Sequence, residues 1–151
     1  MYKKILVPID GSPLARHAAK AAIDLARDLR AAIVGFEATP QYVTHVLEDS
    51  MYAPGMLSEA EFEASVAKNT AKHLGDIENM ARAAGVSFTG VSNPSEHTAA
   101  SIVEAAKTHA CDLIFMGSHG RGNLSQIFLG GVTTKVLSLT SLPVLVHRGD
   151  K

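Results

Sequence analysis

Short apolar runs alternate along the chain with longer stretches in which apolar residues recur every three or four positions. That is the pattern of repeated βαβ units around a parallel sheet. Ile5-Leu6-Val7-Pro8-Ile9 reads as a first strand, almost continuously apolar as a strand covered on both faces must be, with Pro8 near its end where a missing amide is tolerated. Ser12 and Pro13 supply an N-cap and a first-turn proline for a helix that carries Leu14, Ala18, Ala21, Leu25 and Leu29 on one side and ends near Arg30. Ala32 to Phe36 is a second strand. From there to about Ser58, Pro40, Pro54 and Gly55 break any periodicity, so this longest irregular segment is a candidate lid with room for a short helix at Val43 to Leu47.

Phe62, Val66, Thr70, His73, Ile77, Met80 and Ala84 trace one face of a second helix that Gly85 stops. Val86 to Val91 is a third strand, and Asn93-Pro94-Ser95 a turn and cap before a helix that directs Ile102, Val103 and Ala106 inward. Cys111-Asp112 leads into a fourth strand, Leu113 to Met116, followed by a glycine-dense loop. A fourth helix opens near Gly130 or Gly131 and shows Val132, Val136 and Leu139, and Leu142 to His147 is the fifth strand, with a frayed polar tail from Arg148. The expectation is an α/β chain: a single domain over residues 1–151, built as an open twisted parallel five-stranded sheet with helices on both faces, since 151 residues suit one core. In such sheets ligands lie beyond the carboxyl ends of the strands where strand order reverses. That directs attention to Asp10-Gly11-Ser12, to Glu37 and to Gly117 through Gly131.

Composition narrows the field. Fourteen basic against fifteen acidic residues, for a formal charge of -1, give no field to attract nucleic acid. The single cysteine excludes an internal disulfide and any cysteine-cluster metal site. Asp10 cuts the first apolar run too short for a signal peptide, and the longest uncharged stretch, Val136 to Val146, falls short of the roughly 20 apolar residues that cross a bilayer. No membrane association and a cytoplasmic location are therefore expected.

The chemistry concentrates in Gly117-Ser118-His119-Gly120-Arg121-Gly122-Asn123 and in Gly130-Gly131 at the start of a helix. Glycines let backbone amides converge without obstruction by Cβ, and the first amides of a helix lack internal partners, so both halves favour an anion such as phosphate. Leu124, Ile127 and Phe128 between them read as a short turn pinned to the core. The plainer reading is that the glycines only solve tight turns. Other phosphate and nucleophile motifs fail on spacing: there is no GxxxxGK[ST], the first strand-helix turn is not GxGxxG, and Met116 stands where GxSxG needs glycine.

With Gly117, Gly120 and Gly130 in the pattern GxxGx9G, the chain resembles the universal stress proteins. The likeness runs from Lys4-Ile5-Leu6-Val7-Pro8-Ile9-Asp10-Gly11-Ser12 through Asp112 to Gly122 and on to Leu142-Pro143-Val144-Leu145-Val146. It implies strand order 3-2-1-4-5, ATP with accompanying Mg2+ between strands one and four, and a homodimer. Carried over by position, Gly120, Gly130 and the helix-opening Gly131, Val132 and Thr133 hold phosphates. Asp10 and Gly117 lie near the ribose, and Pro8, Ile9, Met116 and the end of strand two hold adenine. Two positions depart from the pattern. Gly131 replaces a usual Ser or Thr, forgoing a hydroxyl worth about 0.5 to 1.5 kcal/mol for which Thr133 is a candidate replacement. Glu37 stands where an apolar residue is common, and its carboxylate repels phosphates unless it turns away.

Asp10 is a candidate acceptor from a ribose hydroxyl or ligand for Mg2+, against an Asx turn beside Gly11. Receiver domains share the general architecture but need further acidic residues and a lysine that are absent here. Seven scattered histidines show no metal spacing; only His119 and Arg121, inside the glycine loop, are placed either to approach phosphates or to face solvent. Cys111 reads as a buried structural thiol. The apolar fifth strand, Leu142 to Val146, is an edge that a second copy would cover, unless the carboxyl tail or a helix hides it. No residue is placed as a catalytic base. The leading expectation is an ATP-binding regulatory or interaction protein; a slow ATP hydrolase, an adenylate-transferring enzyme and a nucleotide-free dimerisation protein are the alternatives.

Overall fold

The computed structural model describes residues 1–42, 57–119 and 129–149. Five parallel strands, β1 (Lys4–Pro8), β2 (Ala32–Thr39), β3 (Phe88–Pro94), β4 (Leu113–Gly117) and β5 (Val144–His147), form one sheet in the order β3-β2-β1-β4-β5. The α1 (Pro13–Leu29) and α2 (Glu59–Ala83) helices cover one face, and α3 (Thr98–Thr108) and α4 (Gly131–Leu139) the other. The anticipated order 3-2-1-4-5 is the observed one.

Alternation along the central strands divides the core. Ile5, Val7, Ile9, Ile33 and Phe115 pack beneath α1 and α2, while Leu6, Val34, Phe36, Ile114 and Met116 pack against α3 and α4. The buried face of α1 consists largely of alanines at 15, 18, 19, 22 and 26, which let the helix axis lie close to the sheet. Its start is fixed as the sequence suggests, with the Ser12 hydroxyl accepting from Ala15 N–H at 3.1 Å and Pro13 in the first turn. The α2 start is a capping box: Ser58 accepts from Glu61 N–H, and the Glu61 carboxylate accepts from Ser58 N–H at 2.8 Å. The carboxylate also accepts from the Ser58 hydroxyl at 2.8 Å, and these two bonds, first from the Ser58 backbone and then from its hydroxyl, hold Glu61 below the usual carboxylate range.

Strands one and four differ from the sequence reading by a single residue at their ends, and strands two, three and five by more. Strand two runs on to Thr39, and strand three begins at Phe88 and ends at Pro94, so Asn93 and Pro94 pair with Ala38 and Thr39 instead of forming the anticipated turn. A proline is admissible at the last position of an edge strand because no further partner needs its amide. Strand five starts at Val144, although the Pro143 carbonyl already accepts from Ile114 N–H. The proposed short helix at 43–47 lies outside the described residues.

The β1–β4 ladder is short, joining only Ile5 to Leu113 and Leu6 to Ile114. Ile9 N–H donates to Phe36 on the β2 side, so by alternation the Pro8 nitrogen belongs to the β4 side, where it has no proton to give. The two central strands part there. The sheet opens at the point where its winding reverses.

Cys111 is buried between α3 and β4, and that burial pushes its thiol from an ordinary 9.0 up to about 11. Because the folded value is the higher one, the stability linked to this thiol is fully present below pH 9.0 and is lost as pH rises through about 11. At pH 8 the thiolate fraction is on the order of one in a thousand. A thiol-disulfide reagent should modify the folded chain at least about a hundredfold more slowly than the urea-unfolded chain.

Candidate functional site

At the parting of β1 and β4 lies a cavity of about 390 Å³. Its walls include Pro8, Ile9 and Asp10 from β1 and the turn after it, Glu37 from β2, Met116, Gly117 and His119 from β4 and beyond, and Gly130, Gly131, Val132 and Thr133 at the start of α4. The structure thus brings together eleven of the thirteen residues singled out from sequence. Gly120 and Arg121 lie outside the described residues. Phe36, the anticipated end of strand two, is in the wall as well, whereas sequence reasoning missed Ala15, Ala38, Pro40, Thr98 and Ile102. Thr98 and Ile102 had one available signal, since α3 follows β3 and opens at the same sheet edge.

The α4 helix supplies the polar end. Gly130 is its N-cap and offers no side chain, and Gly131, Val132 and Thr133 are its first three residues, whose amides have no acceptor within the helix. Among the described residues no side chain caps them. The Gly130 amide is itself engaged, donating to the Ser118 carbonyl at 2.8 Å, and a Cβ at Gly130 would come within 3.1 Å of that same oxygen. This close approach holds the helix start against the end of β4, and glycine allows it. The buried Thr133 hydroxyl donates to the Gly117 carbonyl at 3.0 Å, and the Thr134 hydroxyl to that of Gly130 at 3.1 Å. Thr133 therefore does not replace the hydroxyl missing at Gly131: its proton locks α4 to β4, leaving the main-chain amides as the donors.

Asp10 forms the anticipated Asx turn, its carboxylate accepting from Ser12 N–H at 2.9 Å, and it lines the cavity as well. Ser118 Oγ and His119 Nδ1 share a hydrogen bond of 3.0 Å, while His119 Nε2 is buried with no partner among the described residues. When the serine hydroxyl donates to Nδ1, the ring proton resides on Nε2 and makes it a donor. The remaining wall, with Pro8, Ile9, Phe36, Ile102 and Met116, is apolar and suits a flat hydrophobic ring system.

Glu37 is buried, and its carboxylate is engaged by His73 of α2, with Nδ1 3.0 Å from Oε1 and 3.2 Å from Oε2. It shares the sheet face of Ile33 and Gly35, so the carboxylate turns toward α2. The His73 ring lies beneath Gly11, where any Cβ would collide with Cε1 and Nε2. Gly11 has φ of 77°, in the left-handed region. Nothing in the spacing of a glutamate and a histidine 36 residues apart announced this pair. Among the described residues no cluster of three or more His, Cys, Asp or Glu could hold a metal ion.

The sequence matches the model of the universal stress protein family over residues 1–148. It is 32% identical to Universal stress protein MJ0531 of Methanocaldococcus jannaschii over 161 residues, covering 100% of this chain and 85% of that one. Identity to Universal stress protein YxiE of Bacillus subtilis is 34%, covering 98% and 100%. Among solved structures, protein MJ0577 superposes with a TM-score of 0.81 at 26% identity, covering 100% and 99%. A universal stress protein in complex with cAMP gives 0.67 at 22% identity, covering 97% of each chain. An Arabidopsis thaliana family member with AMP bound gives 0.69 at 15%, covering 98% and 92%.

Proposed function

The chain belongs to the universal stress protein family, and from that membership we propose that it is an ATP-binding regulatory or interaction protein. One observation carries the reading. The amides of Gly131, Val132 and Thr133 and the His119 Nε2, which have no side-chain partner among the described residues, bound one cavity with an apolar slot at the switch point of the sheet. Phosphates belong at the α4 start and at Gly120 and Arg121, the ribose at Asp10 and Gly117, and the adenine between Pro8, Ile9, the β2 end at Glu37 and Met116. The complexes of other family members with cAMP and AMP support an adenine nucleotide as the ligand class. Of the two carboxylates that the described wall offers, Glu37 is engaged by His73, and Asp10 alone suits Mg2+ that is held mainly by phosphate oxygens and water. When bound, the ion would neutralise phosphate charge, and none of the described residues is placed as a base that would make the complex an efficient hydrolase.

Calorimetric titration with ATP, ADP and AMP, together with mass analysis of nucleotide that copurifies with the protein, tests this. Saturable binding of any of the three supports the site, whereas heat-free titrations would favour the nucleotide-free dimerisation protein. The match across residues 1–148 supports one nucleotide-binding domain. Among the described residues no helix is long and apolar enough to cross a membrane. A cytoplasmic role free of membrane and nucleic acid is part of the same proposal. Homodimerisation belongs to the same proposal. The edge strand β5 leaves Leu145 39% exposed, and neighbouring Leu137 and Leu139 are exposed too. Sedimentation velocity is expected to return twice the 15.9 kDa chain mass, and Leu145→Glu to shift the species toward monomer.

A further inference from the structure

Glu37 is a buried carboxylate in the wall of the nucleotide cavity, and the group that meets it is the imidazole of His73, on a helix that contributes no residue to that wall. The same ring fills the space under Gly11, the residue after Asp10. One side chain thereby meets a wall residue on β2 and the residue next to a wall residue in the turn after β1. We propose that His73 is a positioning residue of this cavity, holding the Glu37 carboxylate and the Asp10-Gly11 turn in place and setting, through its own charge, how strongly the pocket attracts an anionic nucleotide. The inference rests on the nucleotide reading and deepens it.

The charge arithmetic is simple. With His73 protonated, the pair is neutral; with the ring neutral, a net negative charge remains in the wall of a site meant for a phosphate. The other charged groups facing this ring do not cancel that change. Arg16 of α1 is committed to Asp76 of α2 at 2.6 Å, Lys72 of α2 is exposed to solvent, Asp10 just past β1 accepts from Ser12 N–H, and β3 carries no ionisable side chain. A protonated ring favours an anion in the cavity, so affinity for an anion falls as His73 gives up its proton.

The probe is cAMP, whose phosphodiester keeps a single negative charge from pH 5 to 8.5, with adenosine as the neutral control. In calorimetric titrations the affinity for cAMP is expected to fall about threefold to tenfold across that interval, the scale of one charge acting across partly solvated protein. Affinity for adenosine should change far less. His73→Asn, which keeps a donor near the Nδ1 position but cannot be protonated, is expected to flatten the cAMP profile at its weaker, high-pH level. His119→Asn, which removes the other imidazole of the cavity, should leave a slope.

Should His73→Asn fail to fold, the wild-type protein gives the same answer by NMR. Linkage requires that saturating cAMP raise the His73 titration midpoint by about 0.5 to 1 pH unit. An unmoved midpoint, or a slope that survives His73→Asn and vanishes in His119→Asn, overturns the proposal while leaving the nucleotide site intact. Absence of any binding by cAMP and adenosine refutes the site and this inference together.

Discussion

A chain carrying Gly131→Pro is expected to fold normally, yet to bind adenine nucleotides about tenfold to a hundredfold more weakly, the loss of one charge-assisted amide hydrogen bond to phosphate. The substitution is nearly silent for the fold on three grounds. Residue 131 is the first of α4, where proline is favoured because its amide would have no helical partner in any case. Gly130 before it has φ of -60° and ψ of 152°, the extended conformation that a following proline requires. Outside its own helix and chain neighbours, no atom of the described residues lies within 4 Å of the place a Cβ at residue 131 would take. Thermal melting verifies the fold, and calorimetry reads the affinity. Undiminished binding would show that the α4 amides do not face the phosphates. The converse change, Gly131→Ser, restores a hydroxyl to the cradle and should tighten binding by roughly twofold to twelvefold, corresponding to about 0.5 to 1.5 kcal/mol.

The second large effect falls on stability. Gly11→Val places a β-branched residue at φ of 77° and drives its Cβ into the His73 ring. Backbone strain and overpacking each cost on the order of 1 to 3 kcal/mol, so the melting temperature is expected to drop by about 5 to 20 °C. Differential scanning calorimetry measures this directly. A smaller loss, under about 2 °C, would mean that the turn and the imidazole move apart freely.

The architecture was legible because its signals are local. Ser12-Pro13 opens a helix, Gly85 closes one with φ of 71°, and unbroken apolar runs mark strands covered on both faces. The cavity was legible for a different reason: in a parallel sheet, the carboxyl ends of all strands meet along one edge, so Asp10, Glu37, Met116 and Gly130 converge once the strand order is known. What escaped is what depends on side-chain direction. The Thr133 hydroxyl looked like a spare phosphate donor, but a buried helix residue beside the last carbonyls of β4 satisfies those carbonyls first. Glu37 looked like a source of repulsion, because its partner lies 36 residues further on and reaches it only through the packing of α2 on the sheet. Asn93 and Pro94 read as a turn, since local propensity cannot register that β2 continues to Thr39 and offers them a ladder.

The central place of β1 also bears on how the chain matures during synthesis. Its first residues are held by a segment more than a hundred positions downstream, as the Lys3 and Lys4 amides donate to the Asp112 carboxylate at 2.8 and 3.0 Å. Until Asp112 and Leu113 have left the ribosome, one flank of the earliest-made strand has nothing to pair with, although the β1–β2–β3 half is already complete in sequence. A nascent chain at that stage presents an adhesive apolar ribbon, and its window of vulnerability closes only when the fourth strand docks.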